Sequence, residues 1–311
     1  MEHRDPYVSV ILPTFNRAQT LLRAVGSVLN QTFEDFELIV IDDGSTDETP
    51  ALIGSLTDRR LIYIQRSSNS GVSAARNSAI RASRGRLIAF QDSDDEWEPQ
   101  KLERQIERME ACDPHLGVVY APFIQHNQTS ISLFPKPGEL VDGDIHTNLL
   151  YRNLVSAQLA VVKRECFERV GLFDESLFCL VDWELWLRVS RAYHFAYVNQ
   201  PLAQVYFTSN SISSHKNSLA QALEKIIQKH RNDFLSQPEA MALHQYEIGV
   251  LLCLSGEFER GRKHLLKVAK ANPGRPYYWL AGLVALMGKS TFCRIYELRN
   301  RFHISLLADY K

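Results

Sequence analysis

The first half of the chain alternates short apolar runs with amphipathic stretches. Val8-Ser9-Val10-Ile11-Leu12 is rich in β-branched residues and predicts a strand ended by Pro13. Leu21, Leu22, Val25, Val28 and Leu29 then recur at helical spacing. Leu38-Ile39-Val40-Ile41 reads as a buried strand, and Ser45-Thr46-Asp47-Glu48 is a capping-box signature for a second helix. Leu61-Ile62-Tyr63-Ile64 predicts a third strand, Gly71 to Ala82 a helix, and Leu87-Ile88-Ala89-Phe90 a fourth strand. Pro99 opens a helical pattern from Gln100 to Glu110. Alternation of this kind implies a mainly parallel sheet with helices on both faces.

From Ala111 to about Phe207 the pattern is less regular. Short strands at Gly117–Tyr120 and Leu159–Val162 flank a polar stretch, Gln125 to Asp144. That stretch is long for a connection inside a compact domain and predicts a mobile functional loop. Asp182 to Tyr193 reads as a helix, with Leu185, Trp186 and Val189 on one face. From about Lys216 the character is helix only, beginning with the stripe Leu219, Leu223, Ile226, His230 and Phe234.

Residues 242–273 match part of the tetratricopeptide pattern, through Ile248-Gly249, Leu252, Gly256, Phe258, Gly261, Leu265, Val268 and Pro273. Only one unit is visible, and arrays need several. The expectation is a helical hairpin packed on the first domain; a protein partner bound through these helices is the alternative. Tyr277 to Met287, followed by Lys289, Arg294, Arg299 and Arg301, reads either as a membrane-surface stretch or as core packing with a solvated basic face. Core packing is the expectation. The pattern divides the chain into residues 1–215 and 216–311.

Composition narrows the partners. In 311 residues, 35 Lys and Arg balance 36 Asp and Glu, so no global field draws the chain to nucleic acid. Cys112, Cys166, Cys179, Cys253 and Cys293 are scattered, without Cys-x-x-Cys spacing, and fit reduced thiols better than disulfides or a zinc site. The first residues lack an apolar signal core, and no segment reaches the roughly 20 apolar residues of a membrane helix. The expected location is the cytoplasm, at most peripheral at the inner face of the membrane. The sequon Asn127-Gln128-Thr129 is then idle.

The candidate chemistry sits where the strands end. Asp92, Asp94 and Asp95 crowd together directly after Leu87–Phe90. Such acids repel one another unless a cation joins them, and a hard divalent ion prefers oxygen ligands. Helix capping or turn formation is the bland reading for Asp94 or Asp95. Pro13-Thr14-Phe15-Asn16 and Asp42-Asp43-Gly44-Ser45 also fall at strand ends, the edge where sheets of this class bind ligands. Three polar clusters on one edge outweigh any one of them.

In order, these motifs resemble glycosyltransferase family 2, inverting enzymes of GT-A fold. Val8–Arg17 is similar to the family's opening strand and nucleotide loop, and Val40–Asp47 to its second. Gly71-Val72-Ser73-Ala74-Ala75-Arg76-Asn77 resembles its Gly-x-x-x-Ala-Arg-Asn segment, and Phe90–Trp97 stands at its Asp-x-Asp position. Gly171–Glu175 and Val181–Trp186 resemble its acceptor block. The resemblance runs from about Tyr7 to Ser214 and implies a Rossmann-like catalytic domain with an all-helical extension beyond it.

The resemblance also implies roles. Pro13 and Phe15 border a nucleotide base, Asp43 hydrogen-bonds it, and Thr14, Asn16 and Ser93 belong to the same nucleotide-sugar set. An ionised acid only accepts hydrogen bonds, which suits the donor edge of uracil and hence a UDP-linked donor. Asp42 is either a ligand contact or a turn cap. Arg76 lies near phosphates or ribose, with a structural pair to an acidic loop as its alternative. Asp92 orients ribose or a metal-bound water, and Asp94 binds Mn²⁺ or Mg²⁺. Asp182 is the general base toward a saccharide or lipid-linked acceptor. Val181 departs from the family, which usually carries an acid there. Trp183 and Trp186 are candidates for sugar stacking, with core packing the better reading for Trp186, and His215 is a distant candidate for the diphosphate. A sugar-phosphate nucleotidyltransferase is disfavoured, because Pro13–Asn16 is not a Gly-rich basic loop. A non-catalytic nucleotide-sugar scaffold is disfavoured by the joint presence of Asp92, Asp94 and Asp182.

Overall fold

The computed structural model describes residues 5–301 except 112, 128–129, 137 and 207–215, and omits the side chains of 297 and 299–301. Cys112, Gln128 and Thr129 of the sequon, the polar stretch Thr208–Ser214, His215 and the Arg299 and Arg301 side chains therefore lie outside the described residues.

The chain begins with β1 (Val8–Thr14), α1 (Leu21–Leu29), β2 (Phe36–Asp42), α2 (Thr49–Gly54), β3 (Leu61–Gln65), α3 (Val72–Ala82) and β4 (Leu87–Phe90). It continues through β5 (Glu96–Trp97), α4 (Lys101–Glu110), β6 (Leu116–Tyr120), β7 (Phe123–His126), β8 (Ile131–Phe134) and α5 (His146–Tyr151). A 3₁₀ turn at Ala157–Leu159 leads to β9 (Val161–Lys163), α6 (Arg164–Val170), α7 (Val181–Val189), β10 (His194–Tyr197) and β11 (Ala203–Tyr206). Helices α8 (Lys216–Lys229), α9 (Arg231–Ser236), α10 (Pro238–Leu254), α11 (Phe258–Ala271), α12 (Pro276–Leu286) and α13 (Lys289–Arg301) follow.

Seven strands form one sheet in the order β10-β6-β9-β4-β1-β2-β3. All its pairings are parallel except those of β9, which runs antiparallel to β4 and β6. The expected α/β architecture holds, and β1 and β2 are buried at every position because helices cover both faces. β1 does not stop at Pro13 as predicted but runs on to Thr14. Ile11 O accepts from Gln91 N, so alternate residue 13 also faces the β4 side, where pairing ends at Ile11↔Phe90. A missing N–H there forfeits no ladder bond.

Two other expectations fail. The capping box does not form: α2 begins at Thr49, Asp47 accepts from Thr49 N, and Ser45 Oγ instead accepts from Asn16 N. The polar stretch after Gln125 is not one long loop, because β8 pairs antiparallel with β7 and completes a second sheet, β5-β11-β7-β8. Period-two apolarity is weak there; only Ile131, Leu133 and Phe134 signal the strand.

The contacts divide the chain into two compact units. One holds both sheets; the other gathers Thr147–Asn153, Leu177–Leu180 and the helices from α8 onward. Within the second unit α10 and α11 form a hairpin that closes at two glycines. A Cβ at Gly261 would lie 2.5 Å from Gly249 O and 2.6 Å from Cys253 Sγ. His244, buried in α10, bonds Leu150 O at 2.7 Å and so ties α5 into this unit.

Candidate active site

Parallel pairing brings three loops off one sheet edge. Thr14 is in register with Asp42, and Ile11 with Phe90, so the segments after β1, β2 and β4 all leave at the carboxyl end. The β1 loop exposes Phe15 and Asn16, whereas Pro13 and Thr14 are buried inside the strand. Asn16 takes a left-handed φ of 51°, and its Oδ1 accepts from Thr46 N at 2.8 Å, locking the first loop to the second.

The two aspartates that end β2 have different environments. Asp42 is fully buried, with Oδ1 accepting from Ser45 N at 2.8 Å and Oδ2 from Tyr63 OH at 2.7 Å. Burial, then this carboxylate, pushes the Tyr63 hydroxyl well above its ordinary range. Asp42 Oδ1 thus caps the turn and Oδ2 ties it to β3. Asp43 binds Arg66 Nη1 at 2.6 Å and accepts from Ser70 N and Gly71 N at 3.0 and 2.8 Å. It thus anchors the segment leading into α3 at that helix's positive end.

Gly44 makes this turn possible. Its φ is +82°, and a Cβ would meet the Ser68 carbonyl carbon at 2.9 Å. Gly44→Ala is expected to cost about 1–3 kcal/mol, read as a lower urea midpoint.

After β4, burial alternates. Asp92 and Asp94 face outward with side chains 34% and 19% exposed, while Ser93 and Asp95 point into the protein. Asp92 Oδ1 lies 2.7 Å from Arg76 Nη2, and the Arg76 guanidinium sits over the rings of Phe90 and Phe173. Asp94 lies 3.6 Å from Arg17 Nη2, and its carbonyl accepts from Arg23. Burial, with the charges of Asp92 and Asp94, holds the Asp95 carboxyl well above the usual carboxylate range. Asp95 accepts from Tyr206 N at 2.9 Å and from the Gln158 side chain. Both Asp95 and Ser93 are buried.

The donor set fits one kind of cation site. Among the described residues no three His, Cys, Asp or Glu side chains converge on one point. Two outward carboxylates remain, which suits Mg²⁺ or Mn²⁺ completed by phosphate oxygens and water rather than an all-protein cage.

Asp182 stands in the first turn of α7, half-buried, with Oδ1 accepting from Trp183 N at 2.8 Å and Oδ2 from Ala157 N at 3.2 Å. Ala157 adjoins Gln158, which bonds Asp95, so the turn at Ala157–Leu159 connects Asp182 to the acidic loop through two successive residues. Glu184 is fully buried and clamped by Arg188, which also donates to the carbonyls of Val170, Gly171 and Leu172. Trp183 and Trp186 are both fully buried, and Trp186 Nε1 donates to Val155 O. Sugar stacking is thereby corrected for Trp183; α7 is buried on nearly every side, its charged Glu184 included.

Sequence reasoning missed Arg17, Arg23, Arg66 and Gln158. Arg17 and Arg66 in loops, Arg23 as a lone cation of α1 and a lone Gln carry no periodic signal. It also left Asn77 without a role. Asn77 is buried, donates to Phe173 O and Glu175, and accepts from Phe173 N at 3.0 Å, stitching α3 to the Phe173 segment under Arg76. Asn77→Leu strands the Phe173 amide groups and is expected to cost roughly 2–5 kcal/mol in a denaturant titration.

Comparison with known proteins follows the same outline. The model for "Glycosyl transferase family 2" matches residues 9–154. The putative teichuronic acid biosynthesis glycosyltransferase TuaG of Bacillus subtilis is 31% identical, over 70% of this chain and 85% of that protein. The Escherichia coli UDP-Glc:alpha-D-GlcNAc-diphosphoundecaprenol beta-1,3-glucosyltransferase WfgD is 30% identical, over 68% and 81%. Two uncharacterized glycosyltransferases, from Rickettsia prowazekii and Rickettsia typhi, are 33% and 34% identical, and the chain spans only 59% and 61% of their lengths.

Solved structures share the fold. Staphylococcus aureus TarS 1–349 with UDP-GlcNAc gives a TM-score of 0.59 at 17% identity, covering 95% of this chain and 92% of that one. The Pyrobaculum calidifontis mannosyltransferase PcManGT, in complex with GDP-Man and Mn²⁺, gives 0.61 at 19%, covering 94% and 88%.

Proposed function

This chain belongs to glycosyltransferase family 2, and from that premise we propose that it is an inverting transferase, assisted by a divalent cation, that moves a sugar from a UDP-linked donor to a saccharide or lipid-linked acceptor in surface polysaccharide or glycoconjugate synthesis. The observation that carries the reading is the outward pair Asp92 and Asp94 on the same sheet edge as Asp43 and Phe15. WfgD, whose name specifies a diphosphoundecaprenol-linked acceptor, and TuaG, whose name specifies teichuronic acid biosynthesis, support the acceptor class.

In this reading Phe15 borders the base and the Asp43 carboxylate accepts from its donor edge. Asn16 shapes the loop between them. Asp92 and Asp94 would hold Mn²⁺ or Mg²⁺, which when bound neutralises charge on the leaving diphosphate. Arg76 fixes Asp92 and adds a fork of donors at the same edge. Asp182 takes the proton of the acceptor hydroxyl as that oxygen attacks the anomeric carbon opposite the leaving group. The transition state carries oxocarbenium character, as in glycosyl chemistry generally.

Guanine also presents donors to a carboxylate, so the test spans both bases. Nucleotide release from a panel of UDP-, GDP- and dTDP-sugars with Mn²⁺, followed by NMR of the transferred sugar, is expected to show a UDP-sugar consumed with inversion. Turnover of GDP-sugars alone would contradict the donor assignment, and retention the mechanism.

A further inference from the structure

Helix α12 carries no charged side chain, and its two faces differ only in what covers them. Tyr278, Ala281, Val284 and Ala285 are buried in the core of the helical unit, with Tyr246, Leu265 and Ala269. The opposite arc is Trp279, Leu280, Leu283, Leu286 and, just past the helix, Met287. These are 39%, 58%, 56%, 56% and 65% exposed. Their spacing of three, four and seven places them on one stripe about 12 Å long. Ile295 and Leu298 of α13 are exposed as well. A helix apolar on all sides belongs in a core or an apolar medium. The expectation of core packing is therefore met on one side of α12 only.

Charge says what covers the other side. Residues 258–301 carry ten Lys and Arg against two Asp and Glu, in a chain of net charge −1. Lys263, Lys267, Lys270, Lys289 and Arg294 are exposed, and no ion pair is recorded for them among the described residues. Lys270 precedes the apolar helix and Lys289 follows it. A protein partner of ordinary composition would not demand uncompensated cations at both ends of an uncharged helix. An anionic bilayer does, since it offers acyl chains to the stripe and phosphates to the lysines. A Trp at the edge of the stripe suits the headgroup boundary.

We propose that the exposed face of α12, flanked by Lys270 and Lys289, docks this protein on an anionic lipid surface. No helix among the described residues is long and apolar enough to span a membrane, so the attachment is peripheral and reversible. The proposal stands independently of the transfer reaction.

Trp279 supplies the readout. It is the one exposed tryptophan of four; Trp97, Trp183 and Trp186 are at most 2% exposed. The full chain is mixed with vesicles of phosphatidylcholine alone or with one quarter phosphatidylglycerol. Sedimentation with the anionic vesicles is expected, with a blue shift of Trp emission and quenching by brominated acyl chains. Trp279→Phe is expected to bind as before while losing the shift. The double variant Leu280→Ser, Leu283→Ser is expected to lower the partition coefficient at least about tenfold. The triple variant Lys267→Gln, Lys270→Gln, Lys289→Gln is expected to lower it about tenfold on anionic vesicles only. Absence of wild-type binding to either vesicle overturns the proposal. So does a stable dimer that the Leu280/Leu283 variant dissolves without vesicle binding, which would give the face to a second copy of the chain.

Discussion

Asp182→Asn is expected to lower turnover about 10²–10⁴-fold with nucleotide affinity unchanged. The substitution keeps an oxygen that accepts from either Trp183 N or Ala157 N and removes the basicity. One of the two amide donors then faces an NH₂ group, a loss of roughly 1 kcal/mol. A thermal-shift measurement on the variant is expected to register that small loss, separating it from the kinetic one. The diagnostic is the split: kcat falls, whereas KM for the donor and affinity for free UDP do not. Full transfer activity in a folded variant would remove Asp182 from the reaction and leave it as a first-turn acceptor in α7.

Asp94→Asn is expected to abolish the metal dependence of donor binding and to reduce turnover by at least about 10²-fold, with little effect on folding. Asp94 is partly exposed, and its cationic neighbour Arg17 lies at 3.6 Å, beyond a close hydrogen bond. Asp92→Asn differs, because it takes the carboxylate from Arg76, a guanidinium only 6% exposed and wedged between Phe90 and Phe173. That variant is expected to lose both activity and stability. Comparing the two by turnover and by denaturation therefore separates a residue that holds the donor from one that also holds the protein. Equal destabilisation would contradict the outward geometry assigned to Asp94.

What could be read in advance followed from periodicity. Buried parallel strands write themselves as Val-Ile-Leu runs, so β1, β2 and β4 were legible, and with them the edge at which three loops meet. The Asp-x-Asp pair was legible as acids crowded directly after a buried strand; in the structure Asp92–Asp95 is a turn, Asp95 N donating to Asp92 O, with Asp92 and Asp94 outward and Asp95 inward. What resisted reading was whatever depends on long-range partners. Nothing local distinguishes Asp42 from Asp43, yet Tyr63 claims one and Arg66 the other. The turn of Ala157 and Gln158 between Asp182 and Asp95 has no motif at all. Trp183 looked available to a sugar because its neighbours in sequence are polar, but α7 is packed on nearly every side. The exposed stripe of α12 was misjudged in the opposite direction, since an uncharged apolar helix reads as core until its neighbours are known.

The proposed transfer requires a nucleotide-diphosphate site at the carboxyl edge of β1, β2 and β4, closed by a cation on Asp92 and Asp94. Calorimetric titration of UDP into the full chain, once with Mn²⁺ and once with a chelator, tests it most directly. Binding with Mn²⁺ is expected to weaken at least about tenfold, or 1.4 kcal/mol, in chelator, with no such difference in Asp94→Asn. Equal affinity in both solutions would contradict it.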